Sequence, residues 1–166
     1  MSAHAYKVCM LGDFGVGKSS LVARYVRGTF SDRYLTTVGV TVDSKEIALP
    51  GRDTLTLVLW DIAGGSMLDA PSTSYLRGAS ALVLVADGTR ETSLSSALTL
   101  LMQSRDTLPD AIAVLAVNKL DLGERWEVAA TTLAELRRSL PVFETSALSG
   151  GGVDDAFAEV ARRLAS

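Results

Sequence analysis

Residues 6–11 are apolar and β-prone, and after a glycine-rich break the apolar positions Leu21, Val22, Tyr25 and Val26 recur at helical spacing. That pattern predicts a strand, a loop and a helix over about 18–27. The polar segment 28–37 predicts a loop. Over 38–49, Val38, Val40 and Val42 alternate before the apolar phase changes to Ile47 and Leu49, as a bulge or an edge strand near 44–46 would require. Pro50-Gly51-Arg52-Asp53 is turn chemistry and Leu55, Leu57 and Leu59 resume the alternation, so the two strands should pair as a hairpin. Ser- and Thr-rich sequence through Arg77 predicts a further loop. The unbroken apolar runs 81–86 and 111–117 mark strands buried on both faces, with Leu94, Leu98 and Leu101 as the stripe of the helix between them. Ala129, Leu133, Leu136 and Leu140 predict another helix, 142–145 a short last strand, and Val153, Ala156, Phe157, Val160 and Leu164 a closing amphipathic helix.

Strands that alternate with helices, with one hairpin near the start, predict an α/β fold in three layers. Its sheet should be six-stranded and mostly parallel, with one antiparallel hairpin strand, right-handed crossovers and helices on both faces. A chain of 166 residues fits one domain, 1–166. Ligands of such sheets bind at the carboxyl ends of the strands. The loop at 12–19, Asp61, Asn118 and Ser146 all follow predicted strand ends, so they should converge on one edge.

Composition narrows the class. A formal net charge of −3 gives no general drive toward nucleic acid or an anionic membrane. Cys9 is the single cysteine, which excludes an intrachain disulfide and suits the reducing cytoplasm. No apolar run reaches the roughly 18 to 20 residues of a membrane span, and the first residues have no signal-peptide character, so a soluble chain is expected. Arginine outnumbers lysine and alanine and leucine are abundant, a balance that leans toward a GC-rich, bacterial source.

The stretch G-D-F-G-V-G-K-S from Gly12 carries the chemistry. Three glycines in six positions let the backbone bend tightly and bring N–H groups against phosphate oxygens. Lys18 can neutralise β- and γ-phosphate charge, Ser19 can offer a hydroxyl to Mg²⁺, and the helix that follows points its positive end at the same anions. After the fifth strand, N-K-L-D from Asn118 offers a carboxylate able to accept two hydrogen bonds from adjacent N–H donors on a base, which guanine has and adenine lacks. Asn118 and the Lys119 stem can brace the loops and cover the base, and Ser146-Ala147 can turn backbone N–H groups toward its carbonyl oxygen.

With T-T-V-G-V from Thr36, W-D-I-A-G from Trp60, E-T-S-A from Glu144 and S-Y-L-R-G-A from Ser74, the chain resembles a Ras-superfamily small GTPase of the Rab branch over essentially its whole length. The resemblance implies the Ras-like P-loop NTPase fold and a switch that binds GTP or GDP with Mg²⁺. By matching positions it implies Ser19, Thr37 and Asp61 at the metal and Lys18, Thr37, Gly64 and Gly65 at the reacting phosphate. The implied nucleotide contacts are Asp13, Phe14, Gly15, Val16, Gly17, Lys18, Ser19, Ser20, Phe30, Tyr34, Thr37, Gly64, Asn118, Lys119, Asp121, Ser146, Ala147 and Leu148. The loops 30–40 and 62–77 would be read by an effector protein, because the γ-phosphate and Mg²⁺ order them and hydrolysis frees them.

Departures from the family pattern carry expectations of their own. Gly65 stands where the family has the glutamine that orients the attacking water, and Phe14 puts a ring where a small residue is usual and could crowd an arginine finger. Slow intrinsic hydrolysis follows, with rescue by groups that an activating protein supplies in trans, by Arg33 in cis, or not at all. A GTP-binding interaction module without useful hydrolysis is the alternative reading. Leu148 replaces a usual lysine, which should loosen guanine binding. No cysteine follows Cys9, so a direct prenyl anchor is not expected.

Overall fold

The computed structural model describes residues 4–30, 39–51, 53–65 and 70–166. The described residues form, in order, β1 (His4–Leu11), α1 (Lys18–Arg27), β2 (Val40–Ile47), β3 (Leu55–Ile62), α2 (Ala70–Leu76), β4 (Ala81–Asp87), α3 (Glu91–Ser104), β5 (Ile112–Asn118), α4 (Ala130–Leu136), β6 (Val142–Glu144) and α5 (Val153–Leu164). The strands form one sheet in the order β2-β3-β1-β4-β5-β6. Only the β2–β3 pairing is antiparallel among the strand pairs of this sheet. The six-stranded, mostly parallel sheet with one antiparallel strand is therefore present as the alternation of strands and helices predicts.

Side-chain alternation sends apolar groups to both faces of the central strands. In β4, Val83 and Val85 join Val8, Met10, Leu57 and Leu59 under α1 and α5, where Tyr25 stacks on Phe157 with ring centroids 4.1 Å apart. Leu82 and Leu84 face the other way with Cys9 and Leu115, against Leu76, Leu94, Ala97, Leu100 and Leu133 of the remaining helices. Each such fully buried side chain contributes roughly 1.5–3 kcal/mol, so this double core holds the sheet and fixes where its strand ends lie.

Several elements differ from the sequence expectation. The β2–β3 register runs without interruption from Val40 opposite Ile62 to Ile47 opposite Leu55, so there is no bulge. The apolar phase changes because β2 is the sheet edge: Val40 packs on one core and Ile47 on the other. The buried line of α3 runs through Leu94, Ala97 and Leu100, with Leu98 and Leu101 only partly buried, because the small Ala97 lets the helix lie close to the sheet. Helix α2 and a 3-10 turn at Leu120–Arg125 occupy stretches whose polar composition hid them. Pro71 near the start of α2 and Gly78 beyond its end, at φ +82°, were the available signals. No helix among the described residues is long and apolar enough to cross a membrane.

Candidate functional site

The five parallel strands deliver their carboxyl ends to one edge, where residues 12–19, Asp61, Asp87, Asn118 and 145–147 meet. Residues 12–19 join β1 to α1 and need their glycines. A Cβ on Gly12 would stand 2.4 Å from the Val85 carbonyl oxygen, and one on Gly17 would stand 2.3 Å from Asn118 Nδ2. Gly15 and Gly17 have φ of +72° and +103°, a region open to glycine without strain. Gly17 ends the turn as the N-cap of α1, whose own first turn carries no acidic residue.

Lys18 lies across this loop, 6% exposed, with Nζ donating to the carbonyls of Gly12 at 3.1 Å and Asp13 at 3.4 Å. Burial holds its ammonium below the ordinary lysine value, and the carboxylates of Asp61 and Asp13 offset only part of that shift. Ser19 Oγ donates to Asp61 Oδ2, which brings a hydroxyl and a buried carboxylate together beside the loop. Val16 is wholly buried, Ser20 is partly buried and Phe14 is 57% exposed. A Cβ on Gly64 would come within 3.0 Å of Lys18 Nζ and of the Phe14 backbone, and the Gly65 N–H donates to the Gly12 carbonyl at 3.2 Å. The start of the loop after β3 thus rests directly on residues 12–18.

The other half of the edge is built around Asn118. Its Nδ2 donates to the Val16 carbonyl at 3.0 Å, while its Oδ1 accepts the Thr145 hydroxyl at 3.1 Å and the Ala147 N–H at 3.3 Å. One side chain therefore ties the glycine-rich loop to the loop after β6. Lys119 has φ +73°, an uncommon conformation for a residue with a Cβ, and its Nζ lies 3.0 Å from Asp87 Oδ2. Asp121 Oδ1 accepts the Ser146 hydroxyl at 2.7 Å. Arg24 reaches from α1 to donate to the carbonyls of Ala147 at 2.8 Å, Leu148 at 2.7 Å and Gly28 at 3.1 Å. Leu120, Leu148 and Phe30 are left 40%, 49% and 37% exposed.

A Ras family model matches residues 7–166. The chain belongs to the Ras family. It is a Rab-like small GTPase, similar to the Ypt/Rab-type GTPase YPT7 of Saccharomyces cerevisiae, with 36% identity over 165 residues that cover 94% of this chain and 79% of the relative. It is also similar to the Ras-related protein RIC2 of Oryza sativa, at 37% identity with 97% and 75% covered, and to the Ras-related protein Rab-1C of Dictyostelium discoideum, at 34% with 93% and 78% covered.

For this Rab-like GTPase the donor set can be tested against Mg²⁺. The Ser19 hydroxyl and the Asp61 carboxylate are hard oxygens in mutual contact, the kind of pair that cation takes, so the residues fit. Arg33, Tyr34 and Thr37 lie outside the described residues. Three other residues of the edge escaped sequence reasoning. Asp87, which ends an apolar run and precedes Gly88, carried a readable signal. Arg24 and Arg90 carried none, because only the fold brings them to the loops they hold. An open groove of about 820 Å³ lies at the opposite end of the molecule, lined by His4, Tyr6 and Asp53 among others, and takes no part in this edge.

Proposed function

We propose that the chain acts as a single G domain over 1–166, a guanine-nucleotide switch that binds GTP or GDP with Mg²⁺ and hydrolyses GTP slowly. The observation that carries the reading is the Asn118 side chain bonded at once to Val16 and Ala147, because it joins a phosphate cradle and a base-reading loop into one continuous site. Backbone N–H groups of 13–20 and the α1 N-terminus would receive the phosphates, with Lys18 as the neutralising charge. Asp121, Ser146 and Ala147 would read guanine, Lys119, Leu148 and Phe30 would cover its faces and Tyr34 would close over the phosphates. Ser19, Asp61 and Thr37 would hold Mg²⁺, which neutralises phosphate charge when bound. Gly64 would offer its N–H to the γ-phosphate. Gly65 has no side chain to orient a water, which is the ground for slow turnover, and the exposed ring of Phe14 would obstruct a finger from outside.

An effector and an activating protein would read the loops 30–40 and 62–77. Val42, 48% exposed, sits opposite Trp60 in the β2–β3 register, and Trp60 meets Tyr75 at 6.4 Å, so these three side chains form an apolar strip across β2, β3 and α2. The buried Cys9 thiol, pushed up to about 11 by burial despite nearby Lys7, would stay inert in a reducing cytoplasm. A second reading, an interaction module that binds GTP without hydrolysing it usefully, draws on the same two residues, Gly65 and Phe14.

Competition binding of GDP against ADP, followed by single-turnover phosphate release from GTP-loaded protein with Mg²⁺, tests both readings. The expected result is a guanine preference above about a hundredfold and release slower than the roughly 10⁻⁴ s⁻¹ intrinsic rate of Ras. Selective binding with no release at all favours the interaction module, and equal binding of ADP and GDP refutes the guanine reading.

A further inference from the structure

Arg90, in the β4–α3 connection, is a charge at the phosphate loop to which the proposed function assigns no role. Its Nη2 donates to the Phe14 carbonyl at 2.6 Å, and a Cβ on Gly15 would stand 3.9 Å from the same nitrogen. The head is anchored from behind, with Nε 3.3 Å from Asp87 Oδ2. Asp87 is itself held firmly: its side chain is 3% exposed, Oδ1 accepts the Thr89 N–H at 2.9 Å and hydroxyl at 2.7 Å, and Oδ2 also faces Lys119 Nζ. The Arg90 backbone is fixed as well, its N–H donating to the Asp87 carbonyl at 2.9 Å and its carbonyl accepting Ser93 Oγ at 2.6 Å. A mobile surface arginine would have none of these constraints.

The Phe14 oxygen belongs to the same peptide unit as the Gly15 N–H. In a planar trans peptide these two groups point in opposite directions, so a donor that fixes the oxygen on the α3 side turns the N–H away from α3. We propose that Arg90 is a positioning residue for the nucleotide site: it sets the Phe14–Gly15 peptide so that the Gly15 N–H is directed into the phosphate cradle as a donor to the diphosphate. A cationic donor on the carbonyl also polarises the amide and makes that N–H a stronger donor. Its charge answers a second need. Asp13 brings a carboxylate into the loop, with Oδ1 accepting the Phe14 N–H at 2.9 Å and Oδ2 near Ser96 Oγ at 3.5 Å, and a carboxylate there opposes bound phosphate. The Arg90 guanidinium offsets it.

This inference rests on the guanine-nucleotide reading, and the test separates the two. GDP release from the full chain with Mg²⁺, the Gly15 amide resonance and the ³¹P signal of the bound β-phosphate are compared in wild type, Arg90→Ala and Arg90→Lys. Arg90 is 41% exposed at its side chain, so its truncation leaves the core filled. Loss of a charge-assisted hydrogen bond should speed release about tenfold in Arg90→Ala. It should also move the Gly15 amide proton upfield and shift the β-phosphate signal, with Arg90→Lys recovering most of each change. Release unchanged, or faster release with both resonances unmoved, overturns the proposal, the latter because it marks general loosening. Wild-type protein that takes up no guanine nucleotide overturns the functional reading together with this one, whereas normal wild-type loading with an indifferent Arg90→Ala overturns this one alone.

Discussion

Asn118→Ala removes a side chain that is 2% exposed and bonded to two loops. Three partners lose a hydrogen bond: the Val16 carbonyl at 3.0 Å, the Thr145 hydroxyl at 3.1 Å and the Ala147 N–H at 3.3 Å. Thr145 and Ala147 are 0% and 3% exposed, so water reaches them poorly. A buried group left without its partner costs about 1–3 kcal/mol, and the longest of the three bonds belongs at the low end. The sum is roughly 3–7 kcal/mol, falling toward 3 if a water enters the space vacated by the amide. For a domain of this size about 1 kcal/mol moves the melting temperature by roughly 2–4 °C, so a decrease of roughly 6–12 °C is expected at the lower figure. Thermal unfolding monitored by circular dichroism checks the stability, and GDP release checks whether both halves of the site loosen together. Asn118→Asp keeps the acceptor but turns an oxygen toward the Val16 carbonyl, and should be at least as damaging. Both variants melting within about 2 °C of wild type, with unchanged release, would show that these bonds do not hold the loops.

Gly65→Gln should accelerate single-turnover phosphate release by restoring a side chain able to orient water, and Phe14→Gly should widen the response to an added arginine-bearing activator; equal rates in Gly65→Gln and wild type would sink the catalytic explanation. Asp87 is subject to burial, which raises its carboxyl, but hydrogen bonds from Thr89 and Lys119 and the Lys119 charge outweigh it and hold the group below its ordinary value. A carboxylate lowered in the folded state stabilises above its unfolded value near about 3.9 and loses that contribution as pH falls through the lower folded value. Urea midpoints across the acid range should therefore drop less steeply in Asp87→Asn than in wild type, and parallel curves would argue against the assignment. A Cβ on Gly88 would lie 2.1 Å from the Trp126 ring, so Gly88→Ala must displace the indole, at roughly 1–3 kcal/mol, seen as a lower melting temperature and a shift in tryptophan emission.

What was legible in the sequence follows from local chemistry. Alternation in 55–59, continuous apolar runs at 81–86 and 111–117, and the 3.6-residue stripe of 153–164 each have one arrangement that buries them, so the order of these elements was determined without reference to contacts, while α2 stayed hidden in a polar stretch. The glycines of 12–17 and the carboxylate of Asp121 were readable for the same reason, since their chemistry is carried by residue type and spacing. Tertiary structure decided the rest. The phase change in β2 left a bulge or an edge strand open until the uninterrupted register and the edge position, where its two ends pack on opposite cores, decided for the edge. Arg24 and Arg90 look like ordinary charges in the chain, and they acquire roles only because the fold places them against carbonyls of loops far away in sequence, as it places Asp87 beside Lys119. Residue type sets what a group can bond to, but which partner it meets depends on the packing of elements that share no sequence neighbourhood.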